Sequence, residues 1–353
     1  MMGLIGWFWN APAPGVLAQG LVALVAAVWL ALVIDAWIGE PPPRWHPVVW
    51  MGRYLTHAGA WLQAQVRRPA PGAGGGAEAV PRDGPSLWRG SLAWWAGALL
   101  VLACAGLLQW GLAQLPWAWG AVLAGVLLKP LLACRMLTDE VGAVDAALAR
   151  SLPEGRAQLA RIVSRDVQEL DAAAVRESAI ESLSENLNDS VVAPLFWFLV
   201  AGLPGAALWR YADTADSMWG YRGVYRGQVW EWAGKWAARI DDVLAWVPAR
   251  LTALVWVLSV PACWHRALGA LVREAGRTPS PNSGWPMAAA ALVLDVHLRK
   301  PGVYILHPQG RAPLPGDIAV AVRLARHVVY GGTAVLSVMA LLTALACQWG
   351  ARA

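Results

Sequence analysis

Charge is what this chain has least of. Only 14% of its 353 residues are Asp, Glu, Lys or Arg, while 58% are hydrophobic; soluble domains are nearer a quarter charged. The shortage is uneven. Residues 1–34 carry no charge, and neither do Gly90–Leu128, Ser190–Trp209, Leu251–Trp264 and Val328–Ala351. A spanning helix needs about 20 mostly apolar residues. These gaps exclude a soluble globular protein and predict an all-α, polytopic integral membrane protein with four or five transmembrane helices. A basic leader is missing too, and the first apolar stretch runs on too long for a cleaved signal. A first transmembrane helix from about Leu17 to Trp37 fits instead.

Other absences narrow the chemistry. Cys104, Cys134, Cys263 and Cys347 form no C-x-x-C pair and lie in or beside apolar segments, so they read as small buried hydrophobes rather than a zinc site or disulfide framework. Arginine is spread over four loops, and the net charge is only +5; no nucleic-acid partner is indicated. There is no G-x-x-x-x-G-K-[ST], no dinucleotide fingerprint and no G-x-S-x-G. Tryptophan, in contrast, is abundant at 24 residues, which suits side chains that favour the headgroup level.

The chain reads as one membrane-embedded domain over residues 1–353, without internal repeats. Pro41–Pro43 must leave the first helix, because proline lacks an N–H donor. The Gly-, Pro- and Ala-rich stretch 68–85 predicts a flexible surface loop. Gly90–Leu128 is too long for one span and predicts an apolar hairpin turning between Gly111 and Pro116, its tip outside. Lys129–Asp189 is the most polar stretch, with eleven acids against seven bases; its helical periodicity predicts two or three amphipathic helices on the cytoplasmic side. Ser190–Trp209 then either spans or is re-entrant, broken at Pro194 and at Leu203-Pro204-Gly205. The second option is favoured, and it requires protein or a watery cavity to cover the non-helical backbone. Arg210–Asp242, with five bases, reads as a loop before a further apolar segment, Val243–Trp264.

Chemistry-bearing residues gather around Ser190–Trp209. Glu177, Glu181, Glu185 and Asp189 recur every four residues and share a helix face, where like charges repel. Glu177 reads as part of a solvated acidic face. Glu185, Asn186 and Asp189 directly precede the apolar run, and charge beside hydrocarbon marks function. Such hard oxygen ligands suit Mg²⁺, which takes one or two carboxylates plus substrate phosphates. Asp213 and Asp216 share a face three residues apart, and Arg222, Arg226, Lys235, Arg239, Asp241 and Asp242 follow. Arginine's planar fork matches phosphate or carboxylate oxygens, although structural ion pairs between loops would use the same residues. His46, in RWHPVVWMG, is either a structural hydrogen-bonder or a site residue. Asn282 and Ser283, in PSPNSGWPM, belong to a simple connector or to a loop that offers backbone N–H groups to an anion.

The blocks DAWIGEPPPRWHPVVWMGR (Asp35–Arg53), SRDVQELD (Ser164–Asp171), ESLSENLNDSVVAPLFW (Glu181–Trp197), LPGAALWRYADTADSMWGYR (Leu203–Arg222), WAARIDDVLAWVPARLTAL (Trp236–Leu254) and SPNSGWPMAAAA (Ser280–Ala291) occur in that order. In this the chain resembles the CobD/CbiB family of membrane proteins in cobalamin biosynthesis. Ser184, Ser190 and Asp213 stand where alanine, glycine and asparagine are common in that family. The resemblance implies adenosylcobinamide-phosphate synthesis: (R)-1-aminopropan-2-ol, free or as its phosphate, is joined in amide linkage to a propionate carboxylate of adenosylcobyric acid, with ATP and Mg²⁺. It implies a multi-pass protein of the cell inner membrane, its site facing the cytoplasm, and association with other membrane enzymes of the pathway. Within this frame Glu185 and Asp189, with Asp216, are expected to hold Mg²⁺, and Asn186 to orient substrate. Arg222 and Arg226 are expected to grip phosphate; His46, Asp213, Asn282 and Ser283 complete the site, with Asp241 and Asp242 behind. Two non-enzymatic alternatives stand beside it: a sensor like the related AmpE, and a corrinoid-binding scaffold or transporter. The SENLND and NSGWPM blocks favour the synthase branch, and a transporter would place its ionisable residues inside the spans.

Overall fold

The computed structural model describes residues 14–66 and 81–350. Most of the expected flexible stretch 68–85 lies outside the described residues, and its last two residues, Gly84 and Pro85, already begin a helix. The chain is almost wholly helical. In order come α1 (Pro14–Trp37), α2 (Pro47–Gln63), α3 (Gly84–Ala113), α4 (Trp117–Leu128), α5 (Cys134–Arg150), α6 (Leu152–Leu159), α7 (Ala172–Leu187) and α8 (Ala193–Trp219). A two-stranded hairpin, β1 (Val224–Tyr225) with β2 (Gln228–Val229), leads to α9 (Lys235–Leu258), α10 (Trp264–Ala275) and α11 (Gly284–Leu294). A second hairpin, β3 (Leu298–Lys300) with β4 (Tyr304–Leu306), precedes α12 (Asp317–Gly350).

Five stretches among the described residues are long and apolar enough to cross a bilayer: Gly15–Trp37, Gly84–Ala113, Trp117–Arg150, Ala172–Trp219 and Asp317–Trp349. A sixth results if α9 is counted with the segment Pro261–Ala275, bent from it by 102°. Leu92, Leu99, Leu107 and Trp110 of α3, and Val335, Met339 and Leu342 of α12, are exposed, as expected where the solvent is lipid. Cys104 is exposed in the same way, Cys134 and Cys263 are buried, and no cysteine is paired. The predicted apolar hairpin is present: α3 ends at Ala113 and α4 starts after Pro116. Asp83 caps α3 by accepting from the Ser86 amide at 3.0 Å. Helices approach closely where side chains are small; a Cβ on Gly125 of α4 would sit 2.8 Å from the Ala27 carbonyl oxygen of α1.

The polar stretch 129–189 forms three helices, α5, α6 and α7. Arg210–Asp242 differs from the expected loop. Helix α8 carries on to Trp219 and α9 starts at Lys235, so Arg210, Asp213 and Asp216 are helical and only 220–234 is loop and hairpin. The apolar run before them does not form one straight helix. As a single straight helix the 48 residues Ala172–Trp219 would reach about 72 Å, more than twice a bilayer's hydrocarbon core. Instead α8 is broken at Gly202, whose backbone is left-handed and extended (φ 69°, ψ −153°). Beyond it the chain returns far enough for Trp209 Nε1 to donate to the Asp189 carbonyl at 2.8 Å. The break lies at Gly202 rather than at the prolines. Pro204 is in the first turn of the returning half, where a missing N–H costs nothing, and at Pro194 the helix runs on through the preceding π-helical turn without a break.

The reversal leaves the Leu203 amide without a helical acceptor. Gln109 of α3 supplies one, its Oε1 accepting from Leu203 N at 2.8 Å. A Cβ on Gly202 would lie 2.0 Å from that same Oε1. Gly202→Ala is therefore expected to destabilise the protein by about 1–3 kcal/mol, from strain and a displaced Gln109. Thermal unfolding in detergent measures this, and a variant as stable as the wild type would contradict it.

Candidate active site

The carboxylates of α7 share a face but not an environment. Asp171 caps the helix, accepting from Ala174 N at 2.8 Å. Glu177, one and a half turns on, is 1% exposed, which corrects the expected solvated acidic face. Arg299 on β3 binds it through its amide at 2.8 Å, through Nε at 3.0 and 3.1 Å and through Nη2 at 2.6 Å, and His297 Nε2 stands 3.5 Å away. Burial of this acid is tolerated because its oxygens are saturated by charge-assisted hydrogen bonds. Glu181, also buried, pairs with Arg165. From Glu185 onward the pattern changes. Glu185 and Asp189 are half-buried, and neither has a basic side chain within ion-pair distance among the described residues.

Asp189 lies in a π-helical turn, Asn188–Val192, inserted between α7 and α8; such bulges are frequent at functional sites. The turn frees a carbonyl. The Ala193 amide bonds to the Asn188 oxygen, and the next residue able to serve the Asp189 oxygen is Pro194, which has no N–H. Side chains from the returning half of α8 take its place: Trp209 Nε1 at 2.8 Å and Arg210 Nη1 at 3.3 Å. The same Nη1 bonds Asp213 Oδ2 at 2.9 Å. Asn188, buried, fixes Asp189 from the other side. Its amide donates to Asp189 Oδ1 at 2.8 Å, and its Oδ1 accepts from Thr252 Oγ1 of α9 at 2.9 Å.

The fold-back thus collects acids. Asp189 feels the charges of Asp213 and Glu185. Asp216 feels those of Asp213, Asp242 and Glu185, and Asp241 those of Asp216, Asp213, Asp189 and Asp242. Arg210 is the basic group in salt-bridge contact with this cluster. Arg165 and Lys300 act on Glu185 from one side, and Arg239 and Arg222 on Asp242 from the other. Like charges gathered at this density are relieved by proton uptake or by a bound cation. No three His, Cys, Asp or Glu side chains among the described residues form a metal cage of their own. The donor set instead fits Mg²⁺ in its two-carboxylate manner, with substrate phosphate and water completing the shell.

The remaining expected residues divide. Asn186, half-buried, donates to the Ser182 carbonyl at 2.9 Å and Ser182 Oγ at 3.3 Å, which leaves its Oδ1 available. Arg222 and Arg226 are exposed. Arg226 occupies a positive-φ corner of the β1–β2 turn and lies 5.3 Å over the Tyr225 ring. Asn282 is engaged in structure: its amide donates to the Asp242 carbonyl at 2.7 Å and its Oδ1 accepts from Arg250 at 2.6 Å, tying α11 to the acid-bearing start of α9. Ser283 directly precedes α11, its amide held by Ser280 Oγ at 3.2 Å. The sequence reading does not single out Arg210 or Asn188; the signal for Arg210 is its place directly after the uncharged run Ser190–Trp209.

His46 belongs to a separate buried network. Its Nε2 is 3.1 Å from Glu40 Oε2, and Lys129 Nζ lies 2.9 Å from the same oxygen and 3.3 Å from Asp35 Oδ1. Burial pushes the Glu40 carboxyl up, but hydrogen bonds and charge from His46 and Lys129 outweigh it and hold the group below its ordinary 4.5. An acid so depressed stabilises the fold above its unfolded value and loses that contribution as pH falls through its folded value. Glu40→Gln should therefore be less stable than wild type at neutral pH, with the gap closing in acid. Unfolding followed as a function of pH checks this; a gap unchanged at about pH 3 would count against it.

With the site in view, the comparisons with known proteins are specific. A family model described as CobD/Cbib protein matches residues 28–341. The chain belongs to the CobD/CbiB family. It is 42% identical over 312 residues to the cobalamin biosynthesis protein CobD of Chromobacterium violaceum, covering 84% of this chain and 90% of that one. The CobD protein of Rhodobacter capsulatus is 37% identical over 335 residues, 90% of this chain and 98% of its own. A probable CobD protein of Methanothermobacter thermautotrophicus is 36% identical over 291 residues, 80% and 86% of the two chains. No solved structure matches. The family match encloses both halves of the α7–α8 site.

Proposed function

We propose that this chain is an adenosylcobinamide-phosphate synthase, an ATP-dependent ligase that forms an amide between adenosylcobyric acid and (R)-1-aminopropan-2-ol or its phosphate. Membership of a cobalamin-biosynthesis family supplies the pathway. The observation that carries the reaction type is the under-neutralised acid cluster Glu185, Asp189, Asp213, Asp216 and Asp241 around Arg210.

A carboxylate is a poor electrophile and must be activated. In this reading its oxygen takes the terminal phosphoryl group of ATP, releasing ADP and leaving an acyl phosphate. The amine lone pair then attacks the acyl carbon, the carbon–oxygen bond to phosphate breaks, and inorganic phosphate departs. The ammonium so formed loses its proton to water or to a carboxylate of the cluster that does not hold the metal. Asn186 Oδ1 is an acceptor free to orient the incoming amine. Mg²⁺, held by Glu185 and Asp189 with Asp216 beside them, would neutralise phosphate charge as it develops. Asn188 and Trp209 position Asp189, one through its side chain and the other through its carbonyl.

Complementation tests the proposal. The chain is expressed in a strain lacking its own synthase and fed cobyric acid, and cobinamide phosphate and cobalamin are measured by mass spectrometry. Wild type should restore both products. Asp189→Ala at equal membrane abundance should lower them roughly a hundredfold or more. Absence of product from well-inserted wild type, with amino alcohol phosphate supplied, would point to a sensor or scaffold instead.

A further inference from the structure

The N-terminal half of α7 borders a cleft of about 600 Å³, a size suited to a small-molecule ligand. Its walls are the loop Arg165–Asp171, the start of α7 and the β3–β4 hairpin from Arg299 to Ile305. The loop is the SRDVQELD block, to which the proposed reaction assigns no role.

Three bases, Arg165, Arg299 and Lys300, and three acids, Glu169, Asp171 and Glu177, line the cleft; Glu169 lies on the loop wall. Arg299 is consumed by Glu177. Asp171 is engaged as the cap of α7. Arg165 reaches Glu181 through Nη2, while its Nη1 is buried without a hydrogen-bond partner. Lys300 has no carboxylate within ion-pair distance among the described residues, yet its charge is felt at Glu185. Tyr304 stands beside Glu181; burial and that carboxylate push its hydroxyl up, so it remains a donor. The turn that presents these groups is tight. Val303 N bonds the Lys300 carbonyl at 2.9 Å across Pro301 and Gly302, and Gly302 has φ +72°, the requirement of a type II turn. A Cβ at Gly302 would meet nothing within 4 Å, so the turn borders open space.

We propose that this cleft receives a phosphate ester, with Lys300 and Arg165 holding the phosphate oxygens and Glu185 marking the end nearest the reacting groups. The inference rests on the ligase reading and deepens it by naming where the phosphate-bearing substrate enters. A half-ligated arginine and an unpaired lysine on a tight turn suit a phosphate group. Two substrates carry this chemistry, the nucleotide and the amino alcohol phosphate.

Lys300→Gln is the cleaner test, because Lys300 is exposed and makes no ion pair; Arg165→Lys keeps a charge beside Glu181 and serves as the second variant. In purified, reconstituted protein, initial rates are measured with ATP varied at saturating amine, and with amino alcohol phosphate varied at saturating ATP. The expected result is a KM for one of them raised about tenfold or more, with the KM for corrinoid unchanged. Movement in the ATP arm identifies a nucleotide cleft, and movement in the other an aminoalkyl phosphate cleft. Active wild type with neither KM moved in either variant overturns the cleft while leaving the ligase reading intact. If wild type forms no amide, the ligase reading fails, and equilibrium dialysis of radiolabelled ATP and amino alcohol phosphate decides the cleft. Retention by wild type but not by Lys300→Gln supports it, and equal or absent retention overturns it.

Discussion

An amide left without a partner in a hydrocarbon layer costs several kcal/mol, and the whole site depends on how one such amide is satisfied. The Leu203 N–H is orphaned when the chain reverses at Gly202, and Gln109 reaches across from α3 to accept it. This bond allows two half-helices to stand side by side where one long helix would separate their ends. Only because the second half returns do Trp209 and Arg210 meet the Asp189 carbonyl, and only then do Asp213 and Asp216 join Glu185 and Asp189. The uncharged run is therefore the device that folds the charged flanks onto each other.

Much of this was legible before any coordinates. The charge gaps located the apolar helices, and Gly111 and Pro116 marked the turn between α3 and α4. The four-residue spacing of acids located the face of α7. Other features depend on distance in space. Proximity to the apolar run set Glu185 apart from Glu177, but that Glu177 is buried and neutralised depends on Arg299, 122 residues away. The break in α8 was expected at Pro194 and at Leu203-Pro204-Gly205; it falls at Gly202, next to the second of these, where a φ of 69° needs the absence of a Cβ. Pro194 matters in another way. It denies the Asp189 carbonyl a main-chain donor, and so creates the acceptor that anchors the returning half.

The same reasoning separates residues that hold the site from residues free to act in it. Asn282 and Asn188 both sit in conspicuous asparagine-bearing blocks, yet their amides are engaged with protein partners. A buried amide with its donors and acceptor already paired fixes geometry and has little left to offer a ligand. Asn186 is the opposite case, half-buried with an unengaged carbonyl oxygen. Asparagines 186 and 188 are two residues apart, but the helix directs one toward Ser182 and the site and the other toward Thr252.

Along α7 the electrostatics run as a gradient, and the gradient gives the site a direction. Glu177 and Glu181 are neutralised by Arg299 and Arg165; Glu185 has only the more distant field of Arg165 and Lys300; Asp189 has Arg210 through its carbonyl and faces Asp213 with its carboxylate. Acids and bases thus balance along the cleft, where Lys300 stands without a carboxylate partner among the described residues, and negative charge gathers where the helices meet. An anion alone would be repelled at the inner end, where Asp189, Asp213 and Asp216 gather. That polarity is set by the order of residues on a single helix face, and it holds only while the reversal at Gly202 keeps the far acids in place.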